Sequence, residues 1–194
     1  MPVKSIRQNG SSLGPWLACA AVGIVAALQL HWQGRSWWCA CGQVSLWTSE
    51  AWGTHTSQHF LDPYSLTHVL HGVLFYWLLT LCVPRLAAHW RLWLALTIEA
   101  VWEVVENSEF VINRYREQTA ALGYHGDTVF NSLGDILCCG VGFYIATRLG
   151  LRRALVVFAA IELVLLVWIR DSLLLEVLML LHPSGAIKAW QLGH

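Results

Sequence analysis

Long apolar stretches alternate with short polar ones along the whole chain. No Asp, Glu, Lys or Arg falls between Gln8 and Gly34 or between Pro63 and Pro84, and only Asp135 does so between Thr128 and Thr147. Two more apolar stretches carry a few charges: residues 88–107, with Glu99, Glu103 and Glu106, and residues 154–170, with Glu162. About 20 helical residues cross the hydrocarbon core of a bilayer. The pattern therefore predicts an all-α, polytopic membrane helix bundle forming one domain over residues 1–194. Its five spans fall at about 14–31, 66–84, 88–107, 129–147 and 154–170, with an outer loop at 34–64. The segment Ser172 to Leu181 is too short for a sixth span and reads as an interfacial or re-entrant helix. Lys4 and Arg7 precede the first apolar run as in a signal peptide, but the run is long and no clear small-residue cleavage site follows it, so it reads as an uncleaved anchor.

Composition agrees with this reading. Of 194 residues, 56% are hydrophobic and 12% charged, with 12 acidic and 12 basic; a soluble domain carries roughly 25% charged residues. Intrinsic disorder is excluded, and the lack of a basic excess argues against a nucleic-acid partner. The Lys/Arg bias places the N-terminus in the cytoplasm, with Lys4, Arg7, Arg85, Arg91, Arg148, Arg152 and Arg153 inside against Arg35, Arg114, Arg116, Arg170 and Lys188 outside. Trp32, Trp37, Trp38, Trp47 and Trp52 read as an aromatic belt at the headgroups. Of six cysteines, only Cys39 and Cys41 lie in a loop. A disulfide across one intervening residue is strained, which leaves plain thiols, a reactive pair or a metal contact.

Alternating spans bring the polar residues to one bilayer level. His68 and His71 fall at the outer end of the second span, Glu99, Glu103, Glu106 and Asn107 in the outer half of the third, and Asp127, Asn131 and Asp135 at the start of the fourth. The outer loop adds Gln58, His59 and Asp62. Glu99, Glu103 and Glu106 share one helical stripe, and Asp127, Asn131 and Asp135 share another face. A carboxylate at mid-membrane costs about 2.5 kcal/mol or more, so such a stripe must be protonated, paired with Arg114 and Arg116, or bound to a cation. Asp127 also reads as an N-cap of the fourth span.

The ordered motifs Gly34-Arg35-Ser36-Trp37-Trp38-Cys39-Ala40-Cys41-Gly42, Ser57-Gln58-His59, Asp62-Pro63-Tyr64 and His68-Val69-Leu70-His71-Gly72 are followed by Trp102-Glu103-Val104-Val105-Glu106-Asn107-Ser108, Arg114-Tyr115-Arg116 and Gly126-Asp127-Thr128-Val129-Phe130-Asn131-Ser132-Leu133-Gly134-Asp135. Over about Gly34 to Gly150 this order resembles a family of small proteobacterial inner-membrane proteins classed as a domain of unknown function. The resemblance implies a multi-pass protein of the bacterial inner (plasma) membrane and no particular reaction. Asp127-x3-Asn131-x2-Gly134 is similar, over about three helices, to VanZ-like membrane proteins associated with glycopeptide-antibiotic resistance, which implies a shared helical arrangement.

Two functions from different classes fit these residues. The first is a metal-dependent hydrolase of a membrane lipid or lipid-linked phosphate. His68, His71, Glu106, Asp127 and Asp135 would hold zinc, iron or manganese, Glu103 would act as general base, and Arg114 and Arg116 would clamp the phosphate. His59, Asp62, Glu99, Asn107 and Asn131 complete the polar site. The same parts suit a diiron-type oxidation, although Glu-x2-Glu is not the Glu-x2-His pattern of those sites. The second is a non-enzymatic lipid- or protein-binding factor whose polar cluster is a structural network. A proton- or ion-coupled carrier ranks below both, because five spans without repeats are few for a carrier built from paired halves. Walker-type, Rossmann and Gly-x-Ser-x-Gly motifs are all absent.

Overall fold

The computed structural model describes residues 13–193. Lys4 and Arg7, which orient the first span in the sequence reading, lie outside the described residues. The described residues form eight helices and no strand: α1 (Leu13–Trp32), α2 (Ser65–Cys82), α3 (Ala88–Glu106), α4 (Glu109–Gln118), α5 (Val129–Leu149), α6 (Leu151–Trp168), α7 (Leu173–Leu181) and α8 (Gly185–Leu192). The α1, α2 and α5 helices are long and apolar enough to cross a membrane. The α3 and α6 helices have 19 and 18 residues, but Arg91 and three glutamates break the first, and Arg152, Arg153 and Glu162 the second. The α4 and α8 helices occupy stretches that the apolar pattern left without an element. At ten and eight residues they are too short for a run-length signal.

Local chemistry sets several boundaries. Ser108 caps α4 by accepting from the Val111 N–H, and Ser172 caps α7 by accepting from the Leu175 N–H. The cap of α5 is Thr128, whose side chain accepts from the Asn131 N–H at 3.2 Å. Asp127 lies one residue too early for the capping role expected of it. Gly150 alone separates α5 from α6, with φ at 71°. That left-handed conformation suits glycine and folds the chain back within one residue.

Packing centres on α2 and α5. A Cβ at Gly72 would strike the Cys139 carbonyl oxygen, and one at Gly142 the Val69 carbonyl oxygen. The two backbones therefore touch where both side chains are hydrogen atoms. The α1 and α3 helices pack on one side of α5 through Ala26, Ala100 and Ile136, and α6 packs on another through Val73, Ala146 and Ala154. Residues 34–64 carry no helix, yet they dock firmly on the start of α5. The N–H groups of Thr128, Val129 and Phe130 donate to the carbonyls of Ser57, Ser36 and Trp37. These are backbone donors of a helix N-terminus that would otherwise lack partners.

The distribution of polarity is inverted relative to a water-soluble fold. Ile24, Val25, Leu28, Val101, Leu137, Val156 and Val167 point outward, while Glu99, Glu103, Asn107, Asp127, Asn131 and Asp135 are buried. Apolar outside and polar inside is the arrangement a hydrocarbon solvent favours.

Candidate metal centre

His68 and His71, one helical turn apart on α2, face Glu99 on α3. His68 Nδ1 lies 2.5 Å from Glu99 Oε1, and His71 Nδ1 lies 3.0 Å from Glu99 Oε2. An ionised carboxylate only accepts, so both Nδ1 atoms donate to it, and in a neutral ring Nε2 then keeps its lone pair. A carboxylate on one ring nitrogen is the usual support of a histidine that ligates metal through the other. His68 Nε2 faces Asp135 Oδ2 at 3.9 Å, beyond hydrogen-bond distance.

Glu103, one turn further along α3, is fully buried. Its Oε1 lies 3.3 Å from His68 Nδ1, yet neither of its carboxylate oxygens has a hydrogen-bond partner. Three groups of potential ligands run through this region, each with its atoms within 4.8 Å: His68, His71 and Glu99; His68, Glu103 and Asp135; Glu103, Glu106 and Asp127. Glu103 belongs to two of them, and so does His68. The glutamates of α3 thus form one stripe, and it meets the histidines of α2 and the aspartates at and before the start of α5.

Asp127 is held by Asn107, which donates from Nδ2 to Oδ2 at 2.8 Å and accepts the Asp127 N–H at 2.7 Å, while Tyr124 donates to Oδ1 at 2.9 Å. Burial pushes its carboxyl above the ordinary value, and the Asn107 and Tyr124 hydrogen bonds pull it back. Asp62 serves the scaffold: it accepts the N–H groups of Ser57, Tyr64 and Ser65, and burial pushes it up to about 6. Ser65 passes the connection on, donating to Asp135 Oδ1 at 2.6 Å. Asn131 donates to the His59 carbonyl at 2.8 Å, so it ties the loop to α5, and the His59 ring belongs to a different cluster.

Arg114 and Arg116 do not pair with the carboxylates. Arg114 donates twice to the Leu180 carbonyl, and Arg116 donates to Asn113 Oδ1. They sit on α4, where Val111, Ile112 and Tyr115 take the buried face, leaving the arginines to the other side. Neither lines the cavity, and no Lys or Arg among the described residues does. Sequence reasoning missed Tyr115, Tyr124, Asp171 and Glu176, which do line it. Tyr115 was detectable from its i+3 and i+4 spacing to Ile112 and Val111. Asp171 and Glu176 follow the last long apolar run and have no local signature.

The cavity has a volume of about 290 Å³. Phe75, Ile98, Leu173, Val177 and Leu180 give it an apolar lining beside the acidic Glu106, Asp127 and Asp135. Burial pushes Asp171 up to about 7, against hydrogen bonds from the Ser172 N–H and the Tyr64 hydroxyl. An unfolded aspartate titrates near 3.9. The folded chain therefore holds a proton that the unfolded chain lacks between those values, and the Asp171 contribution to stability is complete below about pH 4 and lost as pH rises through about 7. Asp171→Asn keeps the shape and an acceptor for Ser172, and its amide can donate to Tyr64. It is expected to make the fall of melting temperature with pH shallower across that window, leaving the part due to Asp62; an unchanged slope in detergent-purified protein would remove Asp171 from the account.

No solved structure matches the chain. Three curated relatives are similar over nearly their whole length. A UPF0314 protein of Paracoccus denitrificans is 45% identical over 91% of this chain and 92% of its own. One of Brucella anthropi is 44% identical over 91% and 90%. One of Rhizobium meliloti is 44% identical over 96% and 94%. A family model described as a protein of unknown function, DUF2585, matches residues 30–193. The family model and these relatives place the chain in the DUF2585 family, to which it belongs.

Proposed function

We propose that the protein is a metal-dependent hydrolase of the bacterial inner membrane, acting on a lipid or lipid-linked phosphate in the carboxylate-rich cavity. The observation that carries this reading is Glu103: fully buried, with no hydrogen bond to either oxygen and only His68 Nδ1 at 3.3 Å beside it, at the vertex shared by two ligand groups. A buried carboxylate that accepts no hydrogen bond is costly when ionised, and one shared by two groups of possible ligands suits a metal ligand. His68, Glu103, Asp135, Glu106 and Asp127 would hold zinc, iron or manganese. A divalent ion there would supply Lewis acidity and lower the pKa of a bound water to about 7.

Glu103 is thereby better placed as a ligand than as the base, and the base falls to His71. Glu99 holds its Nδ1 and leaves Nε2 as the free lone pair on a residue that lines the cavity. Because no Lys or Arg among the described residues lines the cavity, the attraction for a phosphate rests on the cation, and the phosphate clamp expected of Arg114 and Arg116 is set aside. The apolar side of the cavity suits a hydrocarbon chain. In this reading α3 and α6 also span the bilayer, giving five spans with the N-terminus in the cytoplasm. A reporter fused after Leu149 then reads cytoplasmic, and a periplasmic signal would invert the topology.

The test is metal content after chelator-free purification in detergent, together with phosphate release from phosphatidic acid and from a polyprenyl diphosphate. Stoichiometric metal and metal-dependent release are expected. A chain that holds no metal outside its cysteine-bearing loop would leave the non-enzymatic network as the better description.

A further inference from the structure

A second set of metal-ligating side chains stands apart from the acidic cavity, in the loop between α1 and α2. Cys39, Cys41, His55 and His59 each offer one ligand atom, and the four atoms lie within 4.8 Å of one another. In sequence they form Cys-x-Cys followed by His-x3-His. The second half has the ligand spacing of many zinc sites. The first half is narrower than usual, and the backbone accommodates it: the Gly42 N–H donates to the Cys39 carbonyl, and Gly42 takes φ of 76°. This tight turn aims the Cys41 N–H at Cys39 Sγ, 3.4 Å away.

We infer that these four residues form a tetrahedral Cys2His2 site for a zinc-class divalent cation, which staples the loop over the start of α5. The spacing of the atoms carries the assignment. Zinc bonds of about 2.3 Å to sulfur and 2.0–2.1 Å to nitrogen, placed at tetrahedral angles, separate a sulfur from a nitrogen by about 3.6 Å and two nitrogens by about 3.3 Å. Cys39 Sγ lies 3.6 Å from His55 Nδ1, and His55 Nδ1 lies 3.1 Å from His59 Nε2. Two edges of the tetrahedron are therefore nearly at their liganded lengths. Two sulfurs with two imidazoles select zinc over magnesium or calcium, and two thiolates balance the charge of a divalent ion.

Cys39 and His59 are buried while Cys41 is exposed, so the site has a protected interior and an open side for entry.

Its position explains what the staple does. The two arms of the loop reach α5 separately, through Ser36 and Trp37 just before Cys39, and through Ser57 and the His59 carbonyl beside the second histidine. A cation bound by Cys39, Cys41, His55 and His59 joins the arms and closes the chain between them. It thereby restrains Asp62 and Ser65, which follow directly and support Asp135. This site does not depend on the hydrolase reading, because it shares no residue with the acidic centre.

The probe is Co2+, added to the full chain after purification under reducing, chelator-free conditions and removed again by competition with Zn2+. One equivalent is expected to show a thiolate-to-cobalt charge-transfer band in the near ultraviolet and the intense ligand-field absorption of a tetrahedral site. The double substitution Cys39→Ser with Cys41→Ser is expected to abolish both and lower bound zinc by one per chain. Glu103→Gln leaves the thiolate band in place and removes only metal bound without sulfur. His55→Ala is expected to weaken cobalt binding at least tenfold. If the serine variant does not fold, X-ray absorption of the zinc-loaded wild type decides the matter, with two sulfur ligands near 2.3 Å and two nitrogens near 2.0 Å. A wild-type spectrum without sulfur ligation, or a charge-transfer band that survives in the serine variant, overturns the assignment.

Discussion

Glu103→Gln is expected to empty the acidic centre of metal and to reduce phosphate release by at least about 10²-fold, the scale on which even indirect supports of a metal site act. Glutamine has nearly the same volume, so the substitution opens no cavity at this fully buried position. It removes the charge that two ligand groups share and puts an amide donor where a cation should sit. The sign of the stability change separates a ligand from a structural ion pair. In a metal-free chain Glu103 adds one more negative charge to a region already holding Glu99, Glu106, Asp127 and Asp135, so its neutralisation should raise the melting temperature. In the metal-loaded chain the same change removes the stabilisation that binding confers, about 2.7 kcal/mol at a hundredfold excess over Kd. If Glu103 serves only to hold helices together, Glu103→Gln lowers stability with and without metal and leaves metal content unchanged. That outcome would sink the proposed centre.

Gly142→Ala, a change of one methyl group, is expected to destabilise the fold by about 2–4 kcal/mol, at or above the upper range for overpacking. Its Cβ would meet the Val69 carbonyl oxygen, a backbone atom that cannot turn aside. The α2 and α5 helices would have to separate, and His68 moves with Val69. Gly140→Ala supplies the control on the same helix: its Cβ meets a Leu96 methyl at 3.5 Å, an ordinary contact. That substitution is expected to be neutral or mildly stabilising, since alanine favours a helix over glycine by about 1 kcal/mol. Thermal unfolding of both variants, with metal binding measured beside it, checks the contrast. Equal stabilities would mean that the close α2–α5 approach does not hold the structure together.

How much of this was legible beforehand follows from the range of each interaction. Runs of apolar residues longer than a bilayer is thick announce α1, α2 and α5, because backbone satisfaction in hydrocarbon demands a helix whatever the neighbours do. The spacing of Glu99, Glu103 and Glu106 was equally readable, since helical periodicity is local. The four-residue cluster in the loop was half visible. Cys39 and Cys41 stood out as a pair, but nothing local tied them to His55 and His59 across an irregular segment.

The arginines show where local reading stops. Arg114 and Arg116 were natural counter-ions for the glutamates until α4 turned its apolar face inward and sent both elsewhere. Residue type likewise pointed to Asp127 as the cap of α5, but Thr128 takes that role, and Asp127 is held by Asn107 instead.

The sequence by itself determined that the chain is helical, that it carries helices able to cross a membrane, and that histidines and carboxylates from separate helices meet at one level. Only the tertiary structure decided which buried carboxylate accepts no hydrogen bond, which arginines turn away, and which loop residues converge on a common point. Periodicity and length act through the backbone and repeat every few residues, so a single sequence records them. Partnership between side chains distant along the chain depends on helix rotation and on direct backbone contact at positions such as Gly72 and Gly142, where the packing of the whole bundle makes the choice.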